Sequence, residues 1–149
     1  MIVRRLGTAD LAAMRAINAL FAKAFGDDGG DAYTDAPPSD SWLAERLASP
    51  DFIALAAIED GRIIGAIAAY VLTKFEAERR EIYLYDLAVA EDRRRRGVAT
   101  ALINDLRSIA RSIGAWVVYV QADHRDPPAV ALYAKLGERE DVMHFDIAP

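Results

Sequence analysis

From Glu81 to Ile113 the chain passes from the run EIYLYDLAV, aromatic and branched side chains broken by one acid, through an arginine run and Gly97 into a stripe of Ala99, Leu102, Ile103, Leu106, Ala110 and Ile113 at helical spacing. A strand that turns straight into an amphipathic helix constrains the fold more than any other feature here. The helix has to bury its stripe against the sheet to which the strand belongs. The other segments fit that plan. Ile2 to Arg5 is a short β-type run, and Thr8 is placed to cap a helix carrying Leu11, Met14, Ile17, Phe21 and Phe25 on one face and ending at Gly26. The stretch from Asp27 to Asp40 is acidic and rich in glycine and proline, which predicts a loop. Residues 41–48 predict a second helix, stopped by Pro50. Apolar runs at 52–58 and 63–72 flank Asp60-Gly61, a pair suited to positive backbone angles, and predict an antiparallel hairpin. Gly114 is placed to cap the long helix; residues 116–120 then predict a strand, 128–136 a helix ended by Gly137, and 142–147 a last strand. The expected architecture is α/β, one layered domain over residues 1–149 with a mixed sheet.

Composition narrows the chemistry. With 53% hydrophobic residues in 149, the chain can bury a substantial core. A formal net charge of -5 argues against nucleic acid as a partner and suits a cationic substrate. There are no cysteines, which removes disulfides, thiolate metal ligands and a cysteine nucleophile, and a reducing cytoplasm is the simplest home. The start MIVRRLGTADL has no apolar stretch of signal-peptide length, and no run approaches a membrane span, so a soluble cytoplasmic protein is expected. His124 beside Asp123 is too sparse a ligand set for a metal, and none is expected.

The junction after Leu87-Ala88-Val89 carries the strongest motif, Arg94-Arg95-Arg96-Gly97-Val98-Ala99-Thr100. A strand that breaks into a turn and opens a helix presents free amides and the positive end of the helix dipole at one point, an anion site. The bland alternative is a solvated arginine run before an ordinary helix. The pattern Arg-x-x-Gly-x-Ala in this setting resembles the acetyl-CoA turn of the GNAT acetyltransferase superfamily; the Gly-Lys-Ser/Thr ending of a nucleotide loop and the three spaced glycines of a dinucleotide fingerprint are both missing. The resemblance implies a GNAT-type, mostly antiparallel sheet flanked by helices, with acetyl-CoA as co-substrate. It further implies that backbone amides around Arg95, Gly97, Val98, Ala99 and Thr100 hold the pyrophosphate and that the Arg94, Arg95 and Arg96 side chains add positive charge. Leu87, Ala88 and Val89 would meet the pantetheine arm through their main chain. The segment AVALYAKLG at 129–137 is similar to the superfamily's late helix, whose tyrosine lies near the sulfur; that assigns Tyr133, whose alternative role is packing on a helix face.

Further segments, FIALAA at 52–57, AAYVL at 68–72 with KFE at 74–76, EIYLYDLAV, GVATALI at 97–103, YVQAD at 119–123, PAVALY at 128–133 and VMHFDI at 142–147, resemble class I aminoglycoside 3-N-acetyltransferases. That family implies acetyl transfer to the 3-amino group of a deoxystreptamine ring, as in gentamicin, and antibiotic resistance as the outcome. A protonated amine is no nucleophile, so a base must take its proton. Asp86, the acid that interrupts the strand, is the first candidate, directly or through water; the alternative is a structural acid at a bulge. Simple alternation puts Glu81, Tyr83 and Tyr85 on one face and Asp86 on the other unless a bulge intervenes, which keeps Glu81 or a water relay open as base. Several GNAT relatives carry a glutamate near Tyr85, and the tyrosine here departs from that pattern. No Gly-x-Ser-x-Gly elbow is present, which favours direct acyl transfer, with amides near 87–89 on the oxyanion and Tyr133 on the departing thiolate. Glu81, Tyr83 and Tyr85 are candidate substrate-binding residues, and Asp123, Asp126 and Asp146, with Asp31 and Asp35 in the acidic loop, are candidates to pair with substrate ammonium groups, each of these acids against the alternative of ordinary surface solvation. The rival readings are a GNAT enzyme for another amine, such as a polyamine or a protein N-terminus, and a non-catalytic acyl-CoA-binding module. A homodimer, with the last segment adding an edge strand to a partner, is expected only by analogy.

Overall fold

The computed structural model describes residues 1–26 and 36–149. In chain order the elements are β1 (Ile2–Arg5), α1 (Leu11–Phe25), α2 (Asp40–Ala48), β2 (Phe52–Glu59), β3 (Arg62–Thr73), β4 (Arg80–Val89), a single 3-10 turn at Glu91–Arg93, α3 (Val98–Ser112), β5 (Ala115–Val120) and α4 (Pro127–Ala134). The five strands lie in sequence order; β1 to β4 are antiparallel and β5 runs parallel to β4. Asp60 and Gly61 take φ values of 51° and 76°, the paired left-handed angles that close a tight hairpin with the twist of its strands. Among the described residues no helix is long and apolar enough to cross a membrane.

The sheet is buried on both sides, so its central strands read as near-continuous apolar runs. On one side α1 and α2 lie over Ala54, Ala56, Ala66, Ala68 and Ala88, small residues that let the helices approach closely. On the other, α3 lies over Ile53, Leu55, Ile67, Ile82 and Leu84, with its own Leu102 and Leu106 fully buried among them. Arg15 of α1 pairs with Asp40 at the start of α2 and ties the two helices together. Ser39 caps α2, its hydroxyl accepting from the Trp42 amide at 3.2 Å.

Two expectations fail for local reasons. Thr8 does not cap α1. The Leu6 amide is still bonded to Ala54 at 2.9 Å, so the chain needs a turn over residues 7–10 before the helix can begin, and Asp10 takes the cap position. Its carboxylate makes no cap bond; it accepts from the Gly7 amide at 2.8 Å and from Arg4 at 2.7 and 2.9 Å. The Arg4 hydrogen bond, and then the Gly7 amide, hold the Asp10 carboxyl at about 2 against an ordinary 3.8. A depressed carboxyl stabilises the fold fully above the unfolded value and loses that contribution as pH falls through the folded one. Urea unfolding should therefore show the native protein losing more stability than Asp10→Asn between pH 3.8 and about 2. The second failure is the last strand. Residues 142–147 form no strand, because no neighbouring strand of the described chain lies beside them.

Candidate functional site

β4 is bonded to β3 from Arg80 to Val89, but to β5 only as far as the Leu84–Val120 pair. Beyond that pair the parallel strands part, and the β5-facing backbone groups of residues 85–89 have no strand partner among the described residues. A stretch of interior strand left unpaired in this way offers peptide donors and acceptors to an extended ligand. Leu87 and Val89 lie on it, and their side chains pack on the α3 side of the sheet. Ala88 is buried against the α1 side, so only its main chain is available.

β4 leads into the arginine turn. Arg95 and Gly97 have φ of 64° and 79°, and these two left-handed residues bring the chain round so that α3 starts at Val98 with no side-chain cap. The first amides of α3, from Val98, Ala99 and Thr100, thus stand without a capping side chain at the positive end of the helix, at the open end of β4. Val98 itself is buried, so its contribution is confined to the amide. A Cβ on Gly97 would meet nothing within 4 Å, so the backbone angle, not crowding by the protein, demands glycine here. The arginines divide by role. Arg93 is held by Glu59 at 2.9 Å and Asp92 at 2.8 Å, and Arg94 donates to the Val89 carbonyl at 3.3 Å. Arg95 and Arg96 are exposed and make no ion pair with the described residues, which leaves them available to an anion.

Gly65 on β3, which the sequence reading passed over, sets how closely α3 seats. A Cβ there would lie 2.7 Å from Val98 Cγ1, 3.2 Å from Leu102 Cδ1 and 3.3 Å from the Ala88 carbonyl. Gly65→Ala is expected to destabilise the fold by about 1–3 kcal/mol through overpacking, and Gly65→Ala with Val98→Ala to recover part of the loss, both measured by urea unfolding.

The face of the sheet beside the opening carries the second half of the site. Asp86 pairs with Ala68 while Leu84 pairs with Ala69, so Tyr85 is an extra residue, a β-bulge on β4. That one residue reverses the alternation: Tyr83, Asp86 and Ala88 share the α1 side, and Asp86 comes close enough to raise the pKa values of Tyr70 and Tyr83, although burial is the larger cause for each. Four tyrosines gather there. Tyr83 stacks on Tyr119 at 4.7 Å, lies edge-on to Tyr85 at 5.2 Å, and donates to Gln121 at 2.9 Å; Tyr85 in turn meets Tyr70 edge-on at 5.8 Å. Tyr70 and Tyr85 remain 39% and 60% exposed, unusual for clustered aromatic rings and suited to stacking against a ligand. Tyr70, Tyr119 and Gln121 were not picked out from the sequence. The hairpin at Asp60-Gly61 puts Tyr70 opposite Phe52 on β2, but the pairing of β3 with β4 that brings it to Tyr83 and Tyr85 has no local signal.

Tyr133 on α4 packs with Leu132 and Leu136 against the α3-side core. It approaches from the side of the sheet opposite to Asp86. Burial, and then the Asp126 carboxylate, push its phenol up to about 12, so it stays protonated and able to donate throughout the neutral range. The other acids have local partners. Asp126 caps α4, accepting from the Ala129 amide at 3.1 Å, and Asp123 accepts from the Arg125 amide at 2.8 Å. Asp146 faces His144 at 2.9 Å in the segment after α4. Glu81 accepts from the Trp116 indole at 3.2 Å and pairs with Arg79 at 3.4 Å; five residues along the strand, it lies about 16 Å from Asp86 at 3.3 Å per residue. Asp31 and Asp35 lie outside the described residues.

The chain is similar to a solved aminoglycoside acetyltransferase, HMB0005, from an uncultured soil metagenomic sample, at 50% identity over 99% of this chain and 97% of that one, with a TM-score of 0.94. It is similar to a second, meta-AAC0020 from an uncultured soil metagenomic sample, solved with sisomicin, at 27% identity over 99% and 95% of the chains and a TM-score of 0.91. The uncharacterized N-acetyltransferase YhfO of Bacillus subtilis (strain 168) shares 27% identity over 75% of this chain and 76% of its own. The profile of the acetyltransferase (GNAT) family matches residues 14–137. A match over most of the chain, on a fold that parts β4 from β5 above an uncapped helix, makes this protein a member of the GNAT family of N-acetyltransferases.

Proposed function

We propose that the protein transfers acetyl from acetyl-CoA to an amine of a deoxystreptamine aminoglycoside, the 3-amino group by the resemblance of its segments to class I enzymes, with resistance to such drugs as the outcome. The observation that carries the reading is the bulge at Tyr85, which sets Asp86 among exposed tyrosines at the mouth of the β4–β5 opening. The uncapped start of α3, the left-handed Arg95 and Gly97, and the unpaired edge at 85–89 fit the phosphates and the amide-bearing arm of acetyl-CoA. Amides of Val98, Ala99 and Thr100 would hold the pyrophosphate, with Arg95 and Arg96 adding charge, and Leu87 and Val89 would bond the arm. When bound, acetyl-CoA supplies the thioester carbonyl.

Asp86 takes the proton that the substrate ammonium must lose, and the freed amine attacks the carbonyl to form the new C–N bond as the C–S bond breaks. A main-chain amide from 87–89 stabilises the oxyanion, and the Tyr133 hydroxyl donates to the departing thiolate. The aromatic face of Tyr70, Tyr83, Tyr85 and Tyr119 suits a cationic sugar, whose ring faces stack and whose ammonium groups are attracted to π-density. Support for the acceptor class comes from the aminoglycoside acetyltransferases named above, one of which was solved with sisomicin.

Release of coenzyme A thiol, measured with gentamicin, spermidine and a peptide carrying a free N-terminus, tests the reading. Release with gentamicin alone is the expected result. Release only with spermidine or the peptide assigns another amine, and binding of acetyl-CoA without release under all three makes the protein a non-catalytic module.

A further inference from the structure

Tyr83 makes its contacts at the point where β4 and β5 part. It is the strand partner of Tyr119, one pair before the last, Leu84–Val120. The two rings stack at 4.7 Å with their planes 7° apart, and Tyr85 closes on Tyr83 edge-on at 5.2 Å. Gripped in this way, the phenol has little freedom to swing. Its hydroxyl donates to Gln121 Oε1 at 2.9 Å. Gln121 is the first residue beyond β5 and is exposed, so neither strand pairing nor core packing accounts for an amide side chain there.

A phenol hydroxyl has one proton and two lone pairs, and once the proton is committed to Gln121 the oxygen can only accept. The donated bond also polarises the hydroxyl, which strengthens the oxygen as an acceptor. An alkylammonium is the complementary group, because it carries N–H donors and no lone pair. Burial is the larger cause that raises the Tyr83 pKa, so the neutral phenol is the form present at neutral pH. We propose that Gln121 is a positioning residue for the amine substrate: by taking the Tyr83 proton it turns the phenol oxygen into an acceptor for one N–H of the substrate ammonium. The inference rests on the reading that the amine binds on the aromatic face beside Asp86. A primary ammonium has three N–H donors, so one bonded to Tyr83 leaves another for Asp86, and the pair fixes which proton leaves.

Calorimetric titration of gentamicin, and of spermidine, into the protein loaded with coenzyme A reads amine binding without turnover. On the amine that binds more tightly, Tyr83→Phe should cost at least about tenfold in affinity, the loss of a hydrogen bond to a charged group, and Gln121→Leu at least about threefold. Gln121→Leu should add nothing on top of Tyr83→Phe, since it acts through that hydroxyl. Gln121→Glu keeps the acceptor and should bind the amine at least as tightly as the native protein. Acetyl-CoA affinity should be unchanged in Gln121→Leu, which a role confined to shaping the β4–β5 opening would not leave intact. Native affinity in Gln121→Leu, an equal loss with and without the Tyr83 hydroxyl, weakened binding in Gln121→Glu, or a parallel fall in acetyl-CoA affinity would overturn the proposal, as would a native protein that binds neither amine. Thiol release with spermidine and not with gentamicin would change the acceptor and leave the role of Gln121 to stand on the amine that binds.

Discussion

Asp86→Asn is expected to bind acetyl-CoA with unchanged affinity and to lose turnover by about 10²- to 10⁴-fold, the usual contribution of a positioned general base. The separation of effects follows from the layout. Asp86 lies on the α1 side of the sheet beside Ala68, whereas the turn at Arg95 and Gly97 lies beyond the end of β4. The carboxamide keeps the size of the side chain and its neighbours Tyr70 and Tyr83, but cannot accept a proton. Calorimetric titration with acetyl-CoA and thiol release with the accepted amine measure the two quantities separately. Turnover near the native rate would remove Asp86 as the base. A parallel loss of acetyl-CoA affinity would instead mean that the bulge itself had been disturbed.

Gly97→Val is expected to weaken acetyl-CoA binding by at least about tenfold, and a second glycine on the same helix separates binding from strain. At Gly97 the φ of 79° is strained for a branched residue, at a cost on the order of 1–3 kcal/mol to folding. Gly114, at the other end of α3, has a φ of 69° and equally open surroundings. Gly114→Val should therefore cost similar stability and leave acetyl-CoA affinity intact. The pyrophosphate is proposed to lie against the backbone at residue 97, where a valine side chain would stand in its way and shift the amides that hold it. Equal affinities for both variants would dismiss the turn as the anion site.

The strand, the turn and the helix on which an anion site is proposed were legible in the sequence because they are contiguous. A strand, a turn rich in arginine and an uncapped amphipathic helix follow one another within residues 81–113, and local rules of periodicity and capping describe all three. The Asp60-Gly61 hairpin was legible for the same reason. Asp86 could be singled out as an acid in an apolar strand, but not assigned to a face. Alternation alone puts it opposite Tyr83, and only the pairing with β3 reveals that Tyr85 is the extra residue. Tyr70, Tyr83 and Tyr119 come from three different strands, so their stacking is a product of register between segments far apart in the chain. Gly65 is similar: its reason is Val98, 2.7 Å from where its Cβ would stand.

Thr8 and residues 142–147 show where local rules mislead. Thr8 has the right chemistry for a cap, but the bond from Leu6 to Ala54 delays the helix and Asp10 takes the position. Residues 142–147 have the right alternation for a strand, but a strand exists only when a neighbour offers it hydrogen bonds. What the sequence determined by itself was therefore the run of elements from β1 to α4 and the turn of arginines between β4 and α3, though not the absence of a strand at 142–147, because helices, hairpins and helix ends are decided by residues a few places apart. The tertiary structure alone decided where β4 parts from β5, on which face Asp86 stands and which tyrosines surround it, because these depend on strand register, and one extra residue in a strand carries every later side chain to the opposite face.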